Sequence, residues 1–177
     1  MLKVQLLKII FLNLLFFIQV YAVNSQMENF RIFNDPRQNP KDRYEAITEY
    51  RGKMIQCKSY YYDPEFWLRM GCLENYVLNG KTQKLDVSFL KNFLTDEAFV
   101  VRSFILKILI ELQIKNLEET LWFVVEDPRN YRKSLPLENV RLAMVHLPKT
   151  PINSQRAKSL QKTYPGLGKL ESFRHLL

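Results

Sequence analysis

From Asp96 to Leu112 the chain reads DEAFVVRSFILKILIEL, in which Asp96, Glu97, Arg102, Ser103, Lys107 and Glu111 are the only polar residues. Ser103, Lys107 and Glu111 recur every fourth residue. A helix through them carries one narrow polar strip and is apolar on its other faces. Such a helix is buried by neighbours on several sides, and it is too short and too interrupted by charge to cross a bilayer. Helical spacing extends through the rest of the chain and predicts helices over 40–51, 53–61, 64–78, 84–94, 97–112, 116–126, 136–147 and 153–163. Tyr44, Ile47 and Tyr50 share one face of the first, and Leu85, Phe89, Leu90, Phe93 and Leu94 one face of the fourth. No segment alternates convincingly in the two-residue period of a strand, and hairpin turn pairs are scarce. The pattern is all-α.

Four segments align within this pattern: DPRQNPK (35–41), DPEFWLR (63–69), DEAFVVR (96–102) and DPRNYRK (127–133). Each starts with Asp and carries Arg or Lys six residues later. The physical content is a helix start: Asp at the N-cap accepts from free first-turn amides, and Pro at the next position has no amide to leave unpaired. Asp-Pro stands at 35–36, 63–64 and 127–128, while Gly52 and Asn79-Gly80 lie where helices should stop. Pro136 interrupts any helix begun at Pro128 and moves the next start to its own vicinity.

A period near 30 residues, Asp between paired helices and Val101-Arg102 at the start of a second helix resemble HEAT repeats, in particular the short bacterial, phycobilisome-lyase-type form. The unit 84–112 carries the pattern best, with Asp96, Val101 and Arg102 in register. The unit 116–147 has Asp127 with a displaced Val140-Arg141, and 53–78 has Leu68-Arg69. The resemblance implies a right-handed α-solenoid of about four stacked antiparallel hairpins over 23–150, closed by a basic capping helix and tail over 151–177. It also implies that Asp63, Asp96, Asp127, Arg69, Arg102 and Arg141 form hydrogen-bonded ladders between neighbouring repeats. Their role would then be structural.

The first residues change the setting. Lys3 and Lys8 precede an apolar run from Ile9 to Val20, and Val20-Tyr21-Ala22 suits a signal peptidase. This predicts a secretory signal peptide over 1–22, with a retained anchor as the rival reading. The expected location is secreted or periplasmic, in a bacterial envelope; no Asn-x-Ser/Thr acceptor occurs. In an oxidising compartment Cys57 and Cys72, the only cysteines, are candidates for a disulfide stapling one hairpin, against the alternative of two buried core thiols.

Charge is uneven along the chain. Residues 23–147 carry 18 basic and 17 acidic side chains, whereas 148–177 carry six basic residues against Glu171 alone. Arg156, Lys158 and Lys162 lie off the apolar face of the last helix. YYYDPEFW (60–67) gathers five aromatics around a turn. Its rings fill a hairpin core, or Tyr60, Tyr62 and Trp67 stack on a sugar or peptide. Trp122 and Phe123 are expected in the core.

Motifs for chemistry are lacking. His146 and His175 have no metal-ligand spacing, and no nucleophile elbow or phosphate loop occurs. The acidic pairs fall in helix end turns, where the dipole explains them. No catalytic residue, metal or cofactor is expected. The expected function is a non-enzymatic scaffold or adaptor binding a protein partner. The alternative is an envelope-surface or glycan-binding module using the basic C-terminal segment and the aromatic cluster 60–67. An anionic polymer or lipid is a further partner, and nucleic acid is disfavoured by the lack of arginine–aromatic interleaving.

Overall fold

The computed structural model describes residue 19 and residues 21–51, 58–80 and 85–177. It is mostly helical, with little strand, as the apolar periodicity predicts. Residues 1–18, most of the expected signal peptide, lie outside the described residues, as do Cys57, the Gly52 helix stop and most of the expected helix 53–61. No helix of the described residues is long and apolar enough to cross a membrane. The chain divides into two compact units, Met1–Leu85 and Asp86–Leu177.

In the first unit, α1 covers 21–34, α2 is Pro40–Glu49 and α3 is Phe66–Asn79. Asn39 caps α2, its side chain accepting from the Lys41 amide at 2.8 Å, with Pro40 in the first turn. The cap-then-proline rule therefore operates at Asn39-Pro40, four residues after Asp35-Pro36. Helices α2 and α3 pack on each other, with Ile47 of α2 and Leu68 of α3 both fully buried. Gly71 permits the approach, since a Cβ there would meet the Ile47 side chain at 3.2 Å. The Asn75 amide donates to the Ile47 carbonyl at 3.0 Å and to that of Tyr50, tying α3 to the C-terminal end of α2. Buried Phe33 meets the Phe30, Tyr50 and Tyr60 rings with centroids 5.3–5.7 Å away.

The second unit contains α4 (Val87–Lys91), α5 (Phe99–Glu111), α6 (Leu117–Glu126), strands β1 (Tyr131–Arg132) and β2 (Leu135–Pro136), then α7 (Glu138–His146), α8 (Pro151–Thr163) and α9 (Glu171–Arg174). Asp86 caps α4 through the amides of Ser88 and Phe89. The expected helix 84–94 is instead α4 followed by a 3-10 turn, Asn92–Thr95. Helix α5 buries Val101, Arg102, Ile105, Leu106 and Leu109. It packs against α4, the 3-10 turn, α6 and α7. Trp122 is fully buried as expected, but Phe123 is 47% exposed. The Phe123 assignment is corrected: it follows Trp122 by 100° of helical rotation and faces away from the core. Helices α8 and α9 belong to the same unit, with Ala157, Leu167 and Phe173 buried in it.

The β1–β2 hairpin was not expected. Tyr131 pairs with Pro136 and Arg132 with Leu135, leaving Lys133 and Ser134 as a two-residue turn with φ of 49° and 62°. Positive φ at both central positions is the type I′ requirement, usually met by Asn-Gly. Lys-Ser gives no such signal, and two residues per strand are too few to show alternation.

Candidate functional site

The four aligned Asp segments resolve into two structural classes. Asp63 and Asp96 form one. The Oδ1 of Asp63 accepts from the Glu65 amide at 2.9 Å and that of Asp96 from the Ala98 amide at 2.8 Å. A helix then starts three residues after each Asp, at Phe66 and Phe99. Arg69 Nη1 donates to the carbonyls of Asp63 and Pro64 at 2.5 and 2.9 Å. Arg102 Nη1 donates to those of Asp96 and Glu97 at 2.5 and 2.8 Å. The shared pattern D-x-x-F-x-x-R thus builds one junction twice. In it the Asp side chain folds a turn before the helix and does not cap it. Each Arg closes on main-chain carbonyls near its own Asp.

Asp35 and Asp127 form the second class, with Arg two residues on. Their Oδ1 atoms accept from the amides of Arg37 and Arg129 at 3.0 and 2.9 Å. The guanidiniums are bidentate on the same carboxylates, with Nη2–Oδ2 distances of 3.0 and 2.7 Å. Asp127 caps a 3-10 turn, Pro128–Asn130, and not an α-helix. Burial pushes the Asp127 carboxyl up, but the side chain and amide of Arg129, and then the charge of Arg102, hold it below its ordinary value.

Within the second unit Arg102 joins the two classes. Its Nε donates to Asn130 Oδ1 at 2.8 Å and its Nη2 to the Arg129 carbonyl at 3.0 Å, while Arg129 Nη1 returns to the Thr95 carbonyl at 2.7 Å. Asn130, fully buried, also accepts from Asn139 and donates to the Val124 carbonyl. Burial lowers the Arg102 pKa, and neighbouring Asp127 opposes the shift. Arg141, the other expected ladder residue, is exposed on α7 and takes no part in this network. Asn130 and Asn139 occupy that place. Sequence reasoning missed them because a lone Asn has no spacing that separates a buried bridge from an ordinary turn.

The basic segment does not present one face. Arg156 pairs with Glu126 through Nε–Oε1 at 2.5 Å and Nη2–Oε2 at 2.8 Å, approaches Glu119 at 3.6 Å, and lies 4.6 Å over the Trp122 ring. Trp122 Nε1 donates to Asn153 Oδ1 at 2.8 Å, and the Asn153 amide donates to Glu118 and the Pro148 carbonyl. These contacts fasten α8 to α6. Lys158 and Lys162 are exposed.

The aromatic segment divides likewise. Tyr61 is buried against Tyr76, and half-buried Tyr60 donates to Asn34 Oδ1 at 2.8 Å. Tyr62 is 74% exposed and Trp67 39%. Trp67 also contacts the rings of Tyr44 and Phe66 at 5.4 and 4.5 Å. Tyr44 donates to Glu74 at 2.9 Å, and burial, then Glu74, pushes its phenol up to about 12. Cys72 is fully buried in α3. No group of three metal-ligating side chains that could hold an ion occurs among the described residues.

No protein-family model, curated protein or solved structure matches the chain.

Proposed function

We propose that this is an exported, non-enzymatic helical-repeat protein of the bacterial envelope, a scaffold or adaptor for a protein partner. Its hairpins would stack as a right-handed solenoid of the HEAT-like kind. The observation that carries the repeat reading is the duplicated junction: Arg69 and Arg102 close on the carbonyls of Asp63-Pro64 and Asp96-Glu97 at matching distances. Repeats of this kind expose a continuous surface suited to other proteins. The export reading rests on residues 1–22, and the oxidising compartment it implies favours a Cys57–Cys72 bridge. The test is in situ cross-linking of the tagged chain in its native envelope, followed by reconstitution of the captured protein with purified chain. A partner that binds in purified form supports the reading. Retention in the cytoplasm, or no capture above an untagged control, overturns it.

A second reading, an envelope-surface or glycan-binding module, draws on exposed Lys158 and Lys162 of the basic C-terminal segment and on exposed Tyr62 and Trp67 of the aromatic cluster 60–67. Salt separates the two: release of the partner by a modest rise in salt counts against a packed apolar interface.

A further inference from the structure

In the second unit, the Tyr131 and Tyr164 rings stack with centroids 3.7 Å apart and planes within 6°. The stack ties the β1–β2 hairpin to the end of α8. Just beyond it, the 3-10 turn Pro165–Lys169 packs under the hairpin, where a Cβ on Gly166 would meet the Ser134 carbonyl at 3.0 Å. Three elements are thereby joined, and they carry the exposed cations Arg132, Lys133, Lys162 and Lys169. None contains a carboxylate. The nearest in sequence are Asp127, paired with Arg129, Glu126, occupied by Arg156, and Glu138 and Glu171 in the following helices. Next to the turn, Leu135 pairs with Arg132 and is 58% exposed, with one methyl lying over Gly166. The turn holds Lys133 and Ser134 at positive φ, a conformation that disfavours both residues.

We infer that this hairpin is a docking point for an anionic lipid surface, with Leu135 entering the headgroup boundary and the surrounding cations facing lipid phosphates. An exposed apolar side chain beside cations is the chemistry of interfacial binding, in which apolar burial and attraction to anionic headgroups act together. This inference is independent of the protein-partner reading and can fail without it.

The test is co-sedimentation of the full chain with vesicles of phosphatidylcholine alone or with added phosphatidylglycerol. Any binding by the apolar run 9–20 is common to all variants. The wild type should bind anionic vesicles more tightly than neutral ones, and high salt should remove the difference. Arg132→Gln with Lys133→Gln should weaken the anionic component by roughly 30-fold, from about 5-fold per cation. Lys107→Gln with Lys115→Gln, exposed elsewhere in the unit, should change it little. Leu135→Trp should add a fluorescence component that shifts to the blue only with anionic vesicles. Equal binding to neutral vesicles, equal losses in the two lysine-bearing pairs, or no Leu135→Trp shift overturns the inference.

Discussion

Arg102 Nε donates to Asn130 Oδ1 at 2.8 Å across 28 residues of sequence, with both side chains almost wholly buried. The guanidinium is held chiefly by neutral acceptors, the carbonyls of Asp96, Glu97 and Arg129 and the Asn130 amide oxygen. Asp127, and then Asp96, supply the nearby negative charge.

Arg102→Ala should therefore destabilise the protein by about 3 kcal/mol or more, because it strands several buried acceptors. Arg102→Lys should rescue poorly, since an ammonium cannot reproduce the planar fork. Arg141→Ala should stay within about 0.5 kcal/mol. Urea unfolding of the three variants measures the contrast.

Asn153 accepts from the buried Trp122 N–H and donates to Glu118 and the Pro148 carbonyl. Asn153→Ala should cost about 2 kcal/mol, largely from an unsatisfied indole N–H. A double-mutant cycle with Trp122→Phe should show coupling of about 1 kcal/mol. Additive losses would assign the effect to packing alone.

The carboxyl of Asp127 is depressed in the folded state, so its stabilising contribution is present above the unfolded value and is lost as pH falls through the folded one. The wild type should lose stability as pH drops below about 4. Asp127→Asn should remove part of that acid dependence while costing about 1 kcal/mol at neutral pH, a figure reduced for the half-exposed Arg129. Denaturation midpoints from pH 3 to 7, roughly spanning carboxylate titration, test both.

Lys133→Asn with Ser134→Gly replaces two residues at positive φ by the pair that type I′ turns favour. Stability should rise by about 1 kcal/mol, read as a higher Tm. A fall would mean that the Lys133 or Ser134 side chain makes a stabilising contact.

If Cys57 and Cys72 are bridged, reduction and alkylation of protein taken from its native compartment should label both only after reductant. For a loop of this length, loss of the bridge should cost about 3 kcal/mol. Two thiols that label without reductant remove it.

The sequence made the helices legible where apolar residues recur at helical spacing over two turns or more, as in Phe99–Glu111 and Leu117–Glu126. It failed at Lys133-Ser134, whose backbone conformation is imposed by packing against Gly166 and the tyrosine stack. It marked Arg102 through its spacing from Asp96, yet Asn130, Asn139 and Asn153 carried no mark. It also placed Arg156 with Lys158 and Lys162, although only the lysines remain exposed.

By itself, then, the sequence determined the all-α class, the core of α5 and the recurrence of Asp and Arg, because periodicity and turn chemistry act over a few neighbouring residues. Tertiary structure decided what each Asp and Arg does. Asp63 and Asp96 each build one kind of junction, Asp35 and Asp127 each another, and within the second unit Arg102 joins the two kinds through Asn130. A hydrogen bond between residues 28 positions apart depends on where two turns are brought by the burial of α5, α6 and α7, and no local pattern encodes that.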